Sequence, residues 1–220
     1  MKQENPNNPG RRKATFAVAI MLAAAPILAA CDLAVPGQGP PPTLYRLTPK
    51  STFHENLPRV DWQLVLEVPM ADAGLSTTRV ALQRSPTRLE YYARSSWTDR
   101  APLMVQTLMI ESFENSKYIV AVGRESVGLR ADFILKSELR EFQAEYFDGA
   151  LPSVRVAINA KLVQMPRRTI IGSKSFEARA EAKDDTMDEI IAAYDEALGT
   201  VLKHLVEWTL IAGQDAATDG

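Results

Sequence analysis

The sequence predicts an α+β domain: a mixed, largely antiparallel sheet, with an amphipathic helix after the first hairpin and a long C-terminal helix packed on it. Three patterns lead there. Between residues 133 and 182, apolar residues alternate with polar ones in three successive runs, the period of strands with one wet face. From Met187 onward, apolar residues recur at helical spacing. A shorter helical stripe, from Met104 to Phe113, stands between β-rich stretches. Runs of strands with helices set apart from them point to α+β rather than to a doubly wound sheet.

Taken in order, Leu44 to Leu47 reads as a first short strand, and His54 to Asp61, which holds Pro58, as a loop. Trp62 to Val68 is rich in β-formers and stops at Pro69. Asp72-Ala73-Gly74 is a turn or short helical piece. Thr78 to Gln83 and Arg88 to Tyr92 pair as a hairpin through Arg84-Ser85-Pro86-Thr87. Thr98 is expected to cap the next helix, with Asp99 and Pro102 in its first turn, where amides have no helical partner. Asn115-Ser116 ends it. Tyr118 to Val122 is a strand and Gly123 to Gly128 a loop. Asp132 to Tyr146, Val154 to Leu162 and Phe176 to Ala182 form a meander that turns at Asp148-Gly149 and at Pro166-Arg167-Arg168. Thr186-Met187-Asp188-Glu189 matches the capping box. It opens a helix expected to reach Ile211, about 37 Å at 1.5 Å per residue. A single domain over 44–212 follows, with 213–220 as a disordered polar tail.

Upstream of the domain, Arg11-Arg12-Lys13 precede 17 mostly apolar residues, Ala14 to Ala30, and then the sole cysteine, Cys31. Basic, apolar and small residues in that order make an export signal. The run is alanine-rich and shorter than the roughly 20 strongly apolar residues of a membrane span. A lone thiol closes no disulfide within the chain. With Cys31 directly after Leu28-Ala29-Ala30, the stretch resembles the lipobox of bacterial lipoproteins. The resemblance implies a signal peptide over 1–30, cleavage between Ala30 and Cys31, and a diacylglycerol and an N-acyl chain on Cys31. Residues 31–43 are then the lipidated N-terminus and a tether. Its last twelve residues hold four prolines and two glycines, and they span about 35 Å when extended. A multiply acylated anchor holds stably to a bilayer.

Removal of residues 1–30 leaves 21 basic and 26 acidic residues, a net charge of −5. That balance argues against nucleic acid, whose phosphates need clustered Lys and Arg, and assigns membrane contact to the acyl chains. The two histidines, His54 and His204, have no Glu or Cys at metal-ligand spacing, so both read as solvent-facing and no metal is expected. Gly123-Arg124-Glu125-Ser126-Val127-Gly128 has P-loop glycine spacing, but Leu129-Arg130 replace the Lys and Ser/Thr that hold phosphate and magnesium. No G-x-S-x-G elbow occurs. These readings indicate a protein that is not an enzyme and has no cofactor beyond its lipid. Tyr91, Tyr92 and Trp97 sit where a strand meets a helix. They read first as packing; exposed, one of them would anchor a partner.

The order of features is informative as a whole. A lipobox and a Pro-rich tether lead to Pro-Pro-Thr-Leu-Tyr-Arg-Leu, then to the hairpin Arg79-Val80-Ala81-Leu82-Gln83-Arg84-Ser85-Pro86-Thr87-Arg88-Leu89-Glu90-Tyr91-Tyr92, then Trp97, a helix, a strand block and a long helix. Over about 31–212 the chain resembles the ABC-type transport auxiliary lipoproteins, the group that includes the paraquat-inducible lipoprotein C. The resemblance implies a non-catalytic periplasmic subunit of an ABC system of the mammalian-cell-entry type, assisting transport of lipids or hydrophobic molecules between inner and outer membranes. Implied partners are the permease, its ATPase and a mammalian-cell-entry-type substrate-binding protein. The alternative is a stand-alone periplasmic lipoprotein that binds a lipid or small hydrophobic ligand. The family implies the outer membrane, whereas Asp32, next to Cys31, resembles an inner-membrane retention signal.

Overall fold

The computed structural model describes residues 40–125, 130–147, 149 and 151–218. The signal segment, Ala30, Cys31 and most of the tether lie outside the described residues, as do Ser126 to Leu129. Nine strands and two helices follow: β1 Thr43–Tyr45, β2 Val60–Leu66, β3 Met70–Ala71, β4 Arg79–Ser85, β5 Arg88–Trp97, α1 Ala101–Ser116, β6 Ile119–Arg124, β7 Phe133–Glu145, β8 Ser153–Gln164, β9 Thr169–Glu181 and α2 Met187–Thr218. The α+β class holds, and the antiparallel ladders are the long ones.

β7 is the trunk of the sheet. Along its whole length one edge pairs antiparallel with β8, which pairs in turn with β9. The other edge is shared by three parallel partners. Leu64–Leu66 of β2 lie against Phe133–Leu135, Met70–Ala71 against Glu138–Leu139, and Leu82–Gln83 of β4 against Ala144–Glu145. The sheet therefore forks. One arm is β2–β6; the other is β4–β5–β1. A bulge between Leu139 and Glu141 changes which residues face inward. Phe133, Leu135 and Leu139 point to the core before it, and Phe142 and Ala144 after it, the strand bend that a bulge supplies.

Both helices pack together on one face of the sheet. Between them and the sheet, Trp97, Phe142 and Tyr194 meet with ring centroids 5.1–5.5 Å apart. Tyr194 also donates its hydroxyl to the Ala81 carbonyl at 2.6 Å. Gln106 of α1 ties the helix layer to the β2–β6 arm, donating to the Leu66 carbonyl at 3.0 Å and accepting from Arg124 at 3.2 Å.

Two expectations about helix ends are corrected. Thr98 does not cap α1. The Thr98 amide donates to the Tyr45 carbonyl and the Ala101 amide to the Thr77 carbonyl, so sheet and loop take up these groups and Arg100 is the capping position, without a side-chain cap. At the other end Lys117, at φ 60°, closes the helix in the left-handed region. The second correction is that residues 213–218 are helical and not a disordered tail. α2 runs to Thr218, and Gly213 is buried against Trp62. Gln214, Asp215 and Ala216-Ala217 are polar or small, but nothing in them breaks a helix.

A segment after β1 straps the domain to both helices. Arg46 pairs with Glu111 of α1 at 3.3 Å. The Thr48 amide and hydroxyl donate to the two carboxylate oxygens of Asp195 in α2, at 2.6 and 2.8 Å. The Lys50 amide donates to Ser112 Oγ at 2.9 Å, and the His54 amide to Glu207 at 3.1 Å. The chain that emerges from the tether is thus fastened across the helix layer before it enters β2.

Candidate docking surface

The residues singled out from sequence go to different places. Cys31 and Ala30 lie outside the described residues. Trp97 is 1% exposed and belongs to the core, so it meets no partner. Rather than opening α1, it ends β5, whose last three residues carry β1. Tyr91 is half-buried on the opposite face; its hydroxyl donates to the Gly74 carbonyl at 3.0 Å and the Arg79 guanidinium lies 3.7 Å over its ring. Tyr92 turns toward the helix layer. Tyr146 donates its one hydroxyl proton to Asp185 at 2.6 Å, so the 2.9 Å contact between the two tyrosine oxygens is a donation from Tyr92. Arg84 stacks on Tyr146, 4.9 Å from the ring centre. Burial, with the Tyr146 bond second, pushes the Tyr92 hydroxyl well above its ordinary range, and burial also raises Tyr146. Arg84 and Tyr92 of the hairpin motif are thereby explained as a fastening between β5, the end of β7 and the entry to α2, and Arg79 and Tyr91 as a fastening to the turn at Gly74.

His204 is exposed. His54 is also largely exposed, but its Nδ1 lies 2.9 Å from Glu207 of α2, a strap contact that sequence spacing gives no hint of. Gly123 and Arg124 belong to β6 and not to a loop; the rest of that glycine-spaced stretch is largely outside the described residues. Among the described residues no group of three His, Cys, Asp or Glu is placed to hold a metal ion.

The sheet face opposite the helices carries two features that only the strand register assembles. The first is charged. Arg155 and Arg179 stand directly opposite each other on β8 and β9, an unfavourable pair taken alone. Glu177 grips Arg155 through Nε at 2.8 Å and Nη2 at 3.1 Å, Glu145 meets Arg179 at 2.5 Å, and Glu141 lies 3.4 Å from Arg155. Buried Gln143 donates to both Glu141 and Glu145. The Arg155 hydrogen bonds hold the Glu177 carboxyl below the usual carboxylate range. Two cations and three carboxylates satisfy one another here, an arrangement that fixes strand register and leaves no group poised for proton transfer.

The second feature is apolar. Val65 of β2 pairs with Gly123 of β6 and with Ile134 of β7. Ile134 pairs with Val163 of β8, and Val163 with Ile170 of β9. Five strands thus place one row of apolar or side-chain-free residues across the face that has no helices. Val65 and Val163 are nearly covered, whereas Ile170 is 57% exposed. Around Ile134, Val163 and Ile170 lies a shallow recess of about 220 Å³ rimmed by Glu67, Lys136 and Arg168. Lys136 and Glu67 are paired across it at 2.5 Å. A row of β-branched side chains with a charged rim has the anatomy of a protein contact. Sequence reading missed it because Ile134, Val163 and Ile170 occupy the nominally wet positions of three different strands.

No helix among the described residues is long and apolar enough to cross a membrane. The family model for the ABC-type transport auxiliary lipoprotein component matches residues 44–206. A crystal structure of a protein from Xanthomonas campestris is 30% identical, with a TM-score of 0.77, over 80% of this chain and 99% of that one. A second crystal structure, of an uncharacterized protein, shares the fold at a TM-score of 0.54 and 14% identity, covering 82% of this chain and all of that one. An uncharacterized protein of Bradyrhizobium diazoefficiens is 28% identical over 149 residues, which are 68% of this chain but 40% of that relative. With most of the folded domain inside the match, from β1 through the greater part of α2, the chain belongs to the ABC-type transport auxiliary lipoprotein family of the cell envelope.

Proposed function

We propose that the protein is a non-catalytic, periplasm-facing lipoprotein subunit of an ABC transport system of the mammalian-cell-entry type, assisting transport of lipids or other hydrophobic molecules between the two membranes. Cys31 carries the lipid and the domain docks a protein subunit. The single observation that supports docking is the in-register apolar row from Val65 to Ile170. Solvent-facing strand positions ordinarily carry polar residues, and the open end of the row, partly buried Ile134 and exposed Ile170, is explained by a covering partner. A lipid carrier needs an apolar cavity instead, and the space between sheet and helices is filled by Trp97, Phe142 and Tyr194.

The test is co-purification from detergent-solubilised membranes with a tagged permease, ATPase or mammalian-cell-entry-type protein encoded beside it. The wild-type chain is expected to be recovered, Ile170→Asp to be lost, and His204→Asp, on the helix face, to behave as wild type. Failure of the wild-type chain to co-purify with any of the three overturns the partnership; equal recovery of Ile170→Asp overturns the docking row. Release of Cys31→Ser into the soluble fraction checks the anchor, and fractionation of Asp32→Ser beside wild type tests whether Asp32 carries an address.

A further inference from the structure

We propose that the end of the domain carrying the β7–β8 loop rests on the bilayer that holds the tether, with Phe147 and Leu151 as its apolar contacts. The inference builds on lipid attachment at Cys31 and adds an orientation to it. It follows from the direction in which β1 enters the sheet. Thr43 pairs with Ser95 of β5, and Arg79 of β4 with Ser96. Leu82 of β4 pairs with Ala144 of β7. Thr43 is therefore level with the stretch of β7 just before Ala144. β1 runs parallel to β5, which is antiparallel to β4, which is parallel to β7. Read backward from Thr43, the chain heads toward Glu145 and the loop that follows it. The opposite end of the sheet, with Arg167 and Arg168 in the β8–β9 turn, points away.

That membrane-proximal end bears exposed apolar side chains. Phe147 is 38% exposed and Leu151 47%, and they flank a cleft of about 520 Å³ floored by Glu145 and Arg179. The β4–β5 turn, Pro86-Thr87, lies at the same end by register, and so does the exit of β9, where Glu181 pairs with Ser153. The exposed charges there are mixed, with Arg84, Arg88 and Lys183 against Glu181, Asp184, Asp185 and Asp188. No excess of positive charge draws this end to anionic lipid, so the contact is apolar and should survive high salt. Two side chains bind a bilayer only weakly, but the tether removes the need for strength. A tether of about twelve residues spans at most ~35 Å when extended, and so short a linker sets an effective concentration in the millimolar range. Attachment through Cys31 converts a weak apolar touch into a populated, oriented state.

The test uses the fully lipidated chain in vesicles of phosphatidylethanolamine and phosphatidylglycerol. Because Cys31 is the only cysteine and its sulfur is tied up as a thioether to the diacylglyceryl group, an introduced cysteine is the single labelling site. A polarity-sensitive fluorophore on Leu151→Cys is expected to shift to the blue on reconstitution and to be quenched by spin-labelled lipid several-fold more than one on Arg167→Cys. A label on Thr87→Cys should report the same proximity and lose it when Phe147→Asp and Leu151→Asp are added. Equal quenching at 151 and 167 in protein that floats with the vesicles overturns the orientation and leaves the anchor standing. Release of the contact by high salt overturns its apolar character. Protein that does not float overturns lipid attachment, and the proposal with it.

Discussion

Two glycines of α2 should respond in opposite directions to the same substitution. Gly199 and Gly213 are fourteen residues apart in one helix. Gly to Ala inside a helix normally stabilises by about 0.5–1 kcal/mol, because alanine loses less backbone freedom on folding. At Gly199 a new Cβ meets nothing closer than Lys50 Cδ at 3.9 Å, so that gain should be realised. At Gly213 the same atom would lie 2.5 Å from Trp62 Cζ2 and 3.0 Å from Cε2. The indole cannot retreat. Trp62 is 5% exposed and packs edge-on against Phe133 with centroids 4.9 Å apart. Overpacking of this kind costs about 1–3 kcal/mol, which outweighs the propensity gain. For a domain of this size 1 kcal/mol moves the midpoint by roughly 2–4 °C. Thermal unfolding of the unlipidated domain, followed by circular dichroism, should therefore show Gly199→Ala melting about 2–3 °C above wild type and Gly213→Ala about 3–6 °C below it. Trp62→Phe should weaken the Gly213→Ala penalty in a double-mutant cycle. If both glycine variants melt higher together, the last turns of α2 are not docked on β2 and the argument fails.

Four further outcomes are expected. Tyr92→Phe should cost about 1 kcal/mol by leaving Tyr146 without its incoming hydrogen bond, measured by urea unfolding at neutral pH. The hydroxyls of Tyr92 and Tyr194 are raised chiefly by burial. Their protonated forms are thus favoured in the folded state, and their contribution is complete below about pH 10, the value in the unfolded chain. It declines as pH climbs above that point, and unfolding midpoints between pH 8 and 11 should fall less steeply for Tyr194→Phe than for wild type. Trp97 has a buried indole N–H without a partner. Trp97→Phe, which removes the orphaned donor along with some packing, should therefore stay within about 1 kcal/mol of wild type, while Trp97→Ala costs about 3–5 kcal/mol. Asp195→Ala should free the strap at Thr48, detected as faster amide exchange over residues 46–55 while β7–β9 keep their protection.

What the sequence discloses is what local periodicity controls. The β7–β8–β9 meander and α2 are legible because each strand pairs with its chain neighbour and each stripe faces one core. The pairings on the other edge of β7 are not. β2, β3 and β4 join it in parallel, and their partners lie about 60 to 70 residues away in sequence, so no local pattern selects them. The bulge after Leu139 is visible only in retrospect, as an even-numbered Phe142 following odd-numbered core positions. Thr98 has the chemistry of a cap, and tertiary hydrogen bonding overrode it. The Arg79, Arg84, Tyr91 and Tyr92 motif was legible as a signature, but its reason is visible only once Tyr146 and Asp185 on one face and the Gly74 carbonyl on the other are brought beside it.

The position of the strap bears on how such a protein can work. A lipid-anchored subunit that links a membrane to a partner carries load along its chain, and the load enters here through β1. β1 is only three residues long and lies at the edge of one arm, so by itself it would peel away easily. The next ten residues change this. Thr48 is held by Asp195, Lys50 by Ser112 and His54 by Glu207, contacts to two different helices, within one turn of α1 and spread over more than three turns of α2. Pulling on the tether therefore loads both helices in parallel rather than one strand alone. α2 rests on the inner face of the same β7–β8–β9 sheet whose outer face carries the row from Ile134 to Ile170, and α1 packs on α2 and β6. The proposed anchor and docking face are thereby joined through α2 and the long strands. A connector needs that continuity, and it gives the side-chain bonds of the segment after β1 a purpose in a protein whose proposed role is position.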